Sequence, residues 1–112
     1  MRLFTILLDL ASRISTGENW IQIGPFLIQF GSVQIQTTAA TDTTNGFGTT
    51  TLTYPKAYST APRIWLQDDI GGDYLGSCAP ANITTQNVTI KVIHTRERQT
   101  SINIAWLAIG LA

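Results

Sequence analysis

The 112-residue sequence has few charged side chains and only one cysteine. Lys, Arg, Asp and Glu together make up 12% of the chain and their charges cancel. Binding to nucleic acid through neutralised phosphates is therefore not expected. The lone cysteine, Cys78, cannot close an intrachain disulfide and has no companions for a cysteine-based zinc site.

The sequence also lacks the common catalytic motifs. It contains no Gly-x-Ser-x-Gly nucleophile elbow, no His-Glu-x-x-His zinc motif and no glycine-rich phosphate loop. Asp68, Asp69 and Asp73 could form a carboxylate pair of the glycosidase type, but acidic residues in one loop are commonplace. We therefore expect a protein that is not an enzyme and that needs no cofactor or metal.

The N-terminal segment MRLFTILLDLASRIS is apolar, but it is too short to span a bilayer. Asp9 interrupts the apolar run and no small-residue cleavage site follows, so neither a signal peptide nor membrane insertion is expected. The pattern predicts an amphipathic helix over residues 1–16, packed either on its own domain or on other copies of the chain. At helical spacing, four apolar side chains share one face: Leu3, Leu7, Leu10 and Ile14.

From Trp20 onward, apolar and polar residues alternate with the period of two that is typical of half-buried strands. Thr and Ile are among the commonest residues, and both favour strands. The strand signals recur at a spacing of roughly 8–12 residues, the pattern of an antiparallel sandwich or barrel. Residues 17–112 are therefore predicted to form one β domain.

Two runs near the start of this domain are predicted as separate strands. FLIQFG places Phe26, Ile28 and Phe30 on one face, and SVQIQT directs Val33 and Ile35 inward. The Gly-Ser pair between the two runs predicts a bulge or a tight turn.

The C-terminal segment SINIAWLAIGLA is the most apolar part of the domain. Ile102, Ile104 and Trp106 alternate with small or polar residues and are predicted to fill the core. Leu107 and Ile109 fall on the other face, which then needs a cover of its own. Another copy of the chain could provide that cover.

The segment DDIGGDY contains candidate ligand-binding residues. Asp68, Asp69 and Asp73 could supply oxygen atoms to Ca²⁺, or accept sugar hydroxyls while Tyr74 stacks on the sugar. The spacing does not fit an EF-hand loop, and glycine–aspartate turn chemistry is the simpler interpretation. Trp65, in the strand before it, could be an exposed ligand anchor, an interface residue or a core side chain.

The segment IHTRER contains a second candidate group. His94 could contact a ligand, or it could be a hydrogen-bonded histidine at a strand end. Arg96 and Arg98 could form a fork for a carboxylate or an acidic sugar. Alternatively, they belong to a solvated hairpin turn whose ion pairs contribute little.

Three segments together resemble a known family: IQIGPFLIQFG, LTYPKAYSTAPRIWL and INIAWLAIG. Their order resembles that of the C-terminal domains of bacteriophage tail fibres, which are in turn similar to H-type lectin domains. The resemblance covers about residues 20–110. It implies a six-stranded antiparallel β-sandwich that forms a parallel homotrimer, preceded here by the short N-terminal amphipathic helix.

The resemblance further implies a receptor-binding fibre tip that recognises a host cell-surface glycan or another receptor. Such a protein would be made in the bacterial cytoplasm and would act in the virion, together with other virion proteins. In such a trimer, Leu107 and Ile109 would help to cover the subunit interface. The N-terminal helix, which lies outside the resemblance, would fit as a short trimerising stalk through its face of Leu3, Leu7, Leu10 and Ile14. The candidate ligand residues of the protein are Asp68, Asp69, Asp73, Tyr74, His94, Arg96 and Arg98.

Two other functions fit the sequence. One is a structural virion trimer, such as a collar, a plug or a capsid decoration, with no ligand of its own. The other is a secreted glycan hydrolase. An exposed concave surface that carries Trp65 and Tyr74 would favour receptor binding over a structural plug.

Overall fold

The computed structural model describes residues 2–68, 76–97 and 100–112. These residues form one helix and eight strands. The all-β prediction is confirmed, but the strand number differs from the predicted six. In chain order the elements are α1 (Arg2–Ser12), β1 (Ile14–Gly17), β2 (Trp20–Ile23), β3 (Phe26–Gln36), β4 (Gly46–Thr53), β5 (Arg63–Asp68), β6 (Gly76–Ala81), β7 (Asn87–His94) and β8 (Ser101–Leu111).

The strands form two antiparallel sheets. The five-stranded sheet has the order β1-β2-β3-β8-β5, and the three-stranded sheet has the order β4-β7-β6. The longest pairing joins β3 to β8 over 11 residues each, from Phe26 opposite Leu111 to Gln36 opposite Ser101. Strands β3 and β8, which are far apart in the sequence, are thus neighbours within the larger sheet.

Side chains of both sheets meet in one hydrophobic core. The central strands β7 and β8 supply most of it, and burial of each aliphatic side chain contributes about 1.5–3 kcal/mol. The predicted inward face of the C-terminal strand is confirmed. The buried residues from these two strands are Val88, Ile90, Val92, Ile102, Ile104, Trp106 and Ala108.

Strand β3 is continuous, so the predicted bulge or turn between Phe30 and Val33 is wrong. Gly31 lies opposite Trp106, and a Cβ atom at Gly31 would lie 3.0 Å from Nε1 of the Trp106 indole. Glycine at this position therefore allows the indole to lie close to the strand, which is the structural reason for a glycine within a central strand.

The inward face of β3 carries Leu27, Gln29 and Ile35, all of them buried. Phe26 and Phe30 point to the opposite face and are exposed. The period-two pattern correctly places these phenylalanines together, but the core lies on the other side of the sheet.

Helix α1 ends earlier than predicted. It stops at Ser12, whose hydroxyl donates to the Asp9 carbonyl at 2.6 Å. Residues Ile14–Gly17 form β1 and pair with β2, so Ile14 belongs to the sheet and not to the helix face. β-Branched side chains favour the strand here, and Asn19, with a φ of 66°, forms the following turn. Within the described ranges, no helix has the length and apolar character needed to cross a membrane.

The segment GSCAPA, for which no strand was predicted, forms β6 at the edge of the three-stranded sheet. Pro80 is compatible with this strand because an edge strand leaves one side of its backbone unpaired.

The segment between β4 and β5 covers the core at the end near α1. Tyr54 and Tyr58 pack edge to face, with ring centroids 5.3 Å apart and an angle of 84° between the rings. The Tyr58 hydroxyl donates to the Ala108 carbonyl at 3.0 Å. This bond attaches the segment to the centre of the larger sheet.

Candidate functional site

The molecule is elongated, with principal extents of 68 × 27 × 18 Å, and its two ends differ. At one end, α1 leads into Ile14, which lies in register with Ile23, Phe26 and Leu111 across the sheet. We call the opposite end, where β3, β5 and β7 end and β4, β6 and β8 begin, the distal end.

The strand register brings the described residues of the two predicted ligand-binding segments to this distal end. His94 closes β7 opposite both Gly46 and Gly76, and Asp68 closes β5 opposite Ile104. The remaining predicted ligand residues, Asp69, Asp73, Tyr74 and Arg98, lie outside the described residues.

His94 is a buried, fully hydrogen-bonded residue, with 1% of its surface exposed. The Arg96 main-chain amide donates to its Nδ1 at 3.0 Å, and its Nε2 lies 2.6 Å from the Thr37 hydroxyl. Because Nδ1 accepts, the neutral ring carries its proton on Nε2 and donates to Thr37. A Cβ atom at Gly46 would collide with this ring. These contacts give His94 a structural role at the end of β7.

Arg96 links the β7–β8 connection to the β3–β4 connection by hydrogen bonds. Its guanidinium donates to the Thr100 hydroxyl at 2.8 Å, and its carbonyl accepts from the Ala40 amide at 2.8 Å. The Thr37 hydroxyl donates to the Thr100 carbonyl at 3.1 Å. These hydrogen bonds join the described residues around the β7–β8 turn, and Arg96 is half-buried there.

Asp68 lies beside the lone cysteine, Cys78, on neighbouring β6. Burial, together with the nearby Asp68 carboxylate, raises the pKa of the Cys78 thiol. A thiol in such surroundings stays protonated and is poorly nucleophilic at neutral pH. In the part of the chain that the structure describes, no three His, Cys, Asp or Glu residues come together to hold a metal ion.

The distal end also contains an open depression of ≈ 260 Å³ on the three-stranded sheet. Its lining residues are Asn45, Gly76, Ser77, Ile93, His94 and Thr95. Apart from His94, none of these residues was predicted from the sequence. Small polar side chains at strand ends give no signal that distinguishes them from ordinary turn residues.

The five-stranded sheet has a large apolar surface on the side away from the core. Residues that lie opposite each other in antiparallel strands share a face, so the strand register defines this surface. We call it the outer apolar face. It consists of Ile14, Ile21, Ile23, Phe26, Ile28, Phe30, Trp65, Leu107, Ile109 and Leu111.

The predicted interface residues Leu107 and Ile109 lie at the centre of the outer apolar face. Trp65 lies opposite Leu107 and is 52% exposed. An open depression of ≈ 280 Å³ lies at this point, and its lining residues are Trp65, Leu66, Gln67, Ala105, Trp106 and Leu107. Phe26 and Phe30 were not predicted as interface residues, although their shared alternation placed them on one face.

The predicted helical interface is described only in part. Leu3 is exposed, as are Phe4, Ile6 and Leu8 on the same helix. Leu7 and Leu10 lie within α1, but their side chains are outside the described residues. Ile14 contributes to the outer apolar face instead of to the helix.

By sequence, the chain matches no protein-family model and no curated protein. Among solved structures, it is similar to an N-truncated R1-type pyocin tail fibre, with a TM-score of 0.65 and 17% sequence identity. This similarity covers 87% of the chain and 83% of that fibre chain. A C-terminal part of the P. aeruginosa R1 pyocin fibre gives the same TM-score and identity, and the match spans 27% of that longer chain. The chain therefore has a tail-fibre-like fold.

Proposed function

We propose that this chain is a virion protein of the phage tail-fibre type, which assembles as a parallel homotrimer and binds a host cell-surface receptor at its distal end. The observation that carries the proposal is the outer apolar face of the five-stranded sheet. Phe26, Trp65 and Leu107 are exposed there on one continuous surface. A contiguous exposed apolar surface of this kind marks an interaction site.

The distribution of polarity along this sheet favours a parallel arrangement of the copies. Towards the distal end, the outward side chains become polar: Ser32 lies opposite Ala105, and Gln34 lies opposite Asn103. Copies that run in the same direction bring apolar rows together, whereas an antiparallel pair would place apolar rows against polar ones.

Helix α1 supports the same arrangement because it extends the apolar surface at the same end of the molecule. Its exposed side chains, Leu3, Phe4, Ile6 and Leu8, have no cover in the chain itself. Three parallel copies would bring their helices together and cover part of this surface, with Leu3, Leu7 and Leu10 along the contact.

In such an assembly the distal ends remain free at the tip. The receptor is proposed to be a glycan, in line with the resemblance to H-type lectins, and the protein acts by recognition and not by catalysis. Weak binding at each tip is strengthened because three sites on one axis engage the same cell surface.

A structural virion trimer remains a second candidate, and one observation favours it. His94 and Arg96, two of the predicted ligand residues, form hydrogen bonds within the protein. A plug or a collar binds no ligand, so its polar side chains can all form hydrogen bonds within the protein.

The assembly is tested by light scattering on the full chain and on a variant that lacks residues 1–12. This truncation removes α1 and leaves β1 intact. We expect each protein to have about three times the mass of its own single chain, which is 12.2 kDa for the full chain. A monomer in both would contradict the proposal, and a trimer lost on truncation would assign assembly to α1.

Receptor binding is tested with the labelled full chain on a panel of bacterial strains that includes P. aeruginosa. Saturable binding that is lost after periodate oxidation of the cell-surface glycans supports the proposal. A trimer that binds none of the strains supports the structural alternative. Release of reducing ends from the purified polysaccharides would show an enzyme instead.

A further inference from the structure

The outer face of the three-stranded sheet contains a depression that is separate from the outer apolar face of the five-stranded sheet. Strand β7 runs between β4 and β6, and at its distal end Ile93 and Thr95 line the depression described above. Asn45 borders it on the β4 side, and Ser77 borders it on the β6 side. The depression is therefore a short groove over the end of the central strand.

The composition of the groove is both apolar and polar. The lining residue Ile93 is 41% exposed, and Phe47, which lies opposite Ile93 on β4 and next to the groove, is 45% exposed. The side chains of Asn45, Ser77 and Thr95 are exposed and offer an amide and two hydroxyls. Each of these groups can both donate and accept hydrogen bonds.

The described residues that line the groove include no Asp, Glu, Lys or Arg. Among them, His94 is buried and has both ring nitrogens in hydrogen bonds. Charged ligands would thus gain no ion pair from these described lining residues. Its volume of ≈ 260 Å³ lies below the range of about 300–1,000 Å³ that is typical of sites for larger ligands.

We propose that this groove binds a single neutral sugar ring. A sugar ring presents an apolar C–H face and a rim of hydroxyls, which matches Ile93 among Asn45, Ser77 and Thr95, with Phe47 next to the groove. The inference rests on the proposed function, because the ring is a unit of the receptor glycan. The groove and the outer apolar face lie on different sheets, so the groove stays accessible when copies associate through the five-stranded sheet.

The test is a titration of the isotopically labelled full chain with six sugars, followed by the NMR shifts of its main-chain amides. The sugars are glucose, galactose, mannose, rhamnose, N-acetylglucosamine and N-acetylgalactosamine. We expect saturable shifts for at least one of them, concentrated at Ser77, Ile93 and Thr95. Dissociation constants in the millimolar range are sufficient, as expected for one ring on an open surface.

Two substitutions on β6 form a matched pair. Ser77→Gln fills the groove, whereas Ala79→Gln adds the same side chain one row away on the same exposed face. We expect Ser77→Gln to weaken sugar binding at least tenfold and Ala79→Gln to leave it within twofold. Asn45→Ala, which lies outside the strands, should weaken binding as well and serves if Ser77→Gln fails to fold.

The outcomes separate this inference from the proposed function. Saturable sugar binding that shifts other amides and survives Ser77→Gln would overturn the groove but keep the glycan receptor. A trimer that binds bacteria although none of the six sugars shifts the groove amides would likewise overturn the groove and keep the proposed receptor binding. Sugar binding in the groove by a monomer that binds no bacteria would keep the groove and overturn the proposed function.

Discussion

The side chain of Gln29 pairs with the main chain of Lys56 through both of its polar atoms. Its Nε2 donates to the Lys56 carbonyl at 2.7 Å, and the Lys56 amide donates to its Oε1 at 2.7 Å. A side chain of β3 thus provides the hydrogen bonds that a neighbouring strand would otherwise provide. The Lys56 ammonium in turn lies 4.0 Å from the centre of the Trp20 ring and donates to Gln22 at 3.1 Å. These contacts hold the β4–β5 connection over the core.

Substitution of Gln29 should destabilise the domain. Gln29 is 0% exposed, so Gln29→Leu leaves the main-chain groups of Lys56 without their partners in a protected environment. We expect a loss of about 2 kcal/mol in the free energy of unfolding, measured by urea denaturation. Gln34→Leu, an outward substitution on the same strand, is the control and should change stability by less than about 0.5 kcal/mol. Equal effects of the two would contradict the role of Gln29.

The hydrogen bond between Thr37 and His94 should contribute to stability and not to ligand binding. Thr37→Val keeps the shape of the side chain and removes the hydroxyl that accepts from His94. We expect a loss of about 1–3 kcal/mol, measured by thermal and chemical unfolding, with unchanged binding to bacteria. The exposed Thr51→Val on β4 is the matched control. Lost binding in a Thr37→Val protein that is still folded would instead assign His94 to the receptor site.

Alkaline pH should weaken the packing around Tyr54. Burial, and to a lesser degree the neighbouring Tyr58, raises the pKa of Tyr54 to about 12. The folded chain therefore holds the phenol proton more tightly than the unfolded chain, whose tyrosine pKa is about 10. This stabilisation is complete below pH 10 and is lost as the pH rises towards 12.

Denaturation series between pH 8 and pH 12 measure this effect, and tyrosinate absorbance follows the ionisation. Tyr54→Phe removes the ionisable group together with its hydrogen bond to the Asn87 carbonyl. The variant should be less stable at pH 8 but should lose less stability above pH 10. A parallel decline of both proteins with pH would contradict the assignment to Tyr54.

The outer apolar face should control assembly without controlling folding. Trp65→Glu places a charge among exposed apolar side chains, where association of the copies would have to desolvate it. We expect the trimer to dissociate at concentrations at least tenfold higher than for the unchanged chain, measured by light scattering. Gln67→Glu lies on the same strand and face, one row closer to the distal end, and should have little effect. Weakening by Gln67→Glu alone would place the interface at the distal end.

The candidate site could be predicted from the sequence only in part. The strand register gathers Asp68, His94 and Arg96 at one end of the molecule, which local alternation did not predict. Their chemistry was less predictable, because the partners of His94 come from residues 37 and 96, and only folding brings residue 37 beside it. The groove beside Ser77 was not predicted, since nothing in a Gly-Ser-Cys sequence identifies an edge strand.

The all-β class, most of the strands from Trp20 onward and the inward face of Ile102 to Trp106 could be predicted from the sequence alone. These features depend on local alternation, which the chain carries in its own residues. Tertiary structure alone decided which side of β3 faces the core. Both faces of that strand carry apolar residues. Alternation therefore predicts which residues share a face, but it does not predict which face packs on the core. The same applies to Ile14, whose helical spacing was compatible with α1, but pairing with Ile23 satisfies its backbone in a sheet. Strand pairing between distant segments, such as β3 with β8, is a property of the whole fold, and it creates both the apolar face and the distal end.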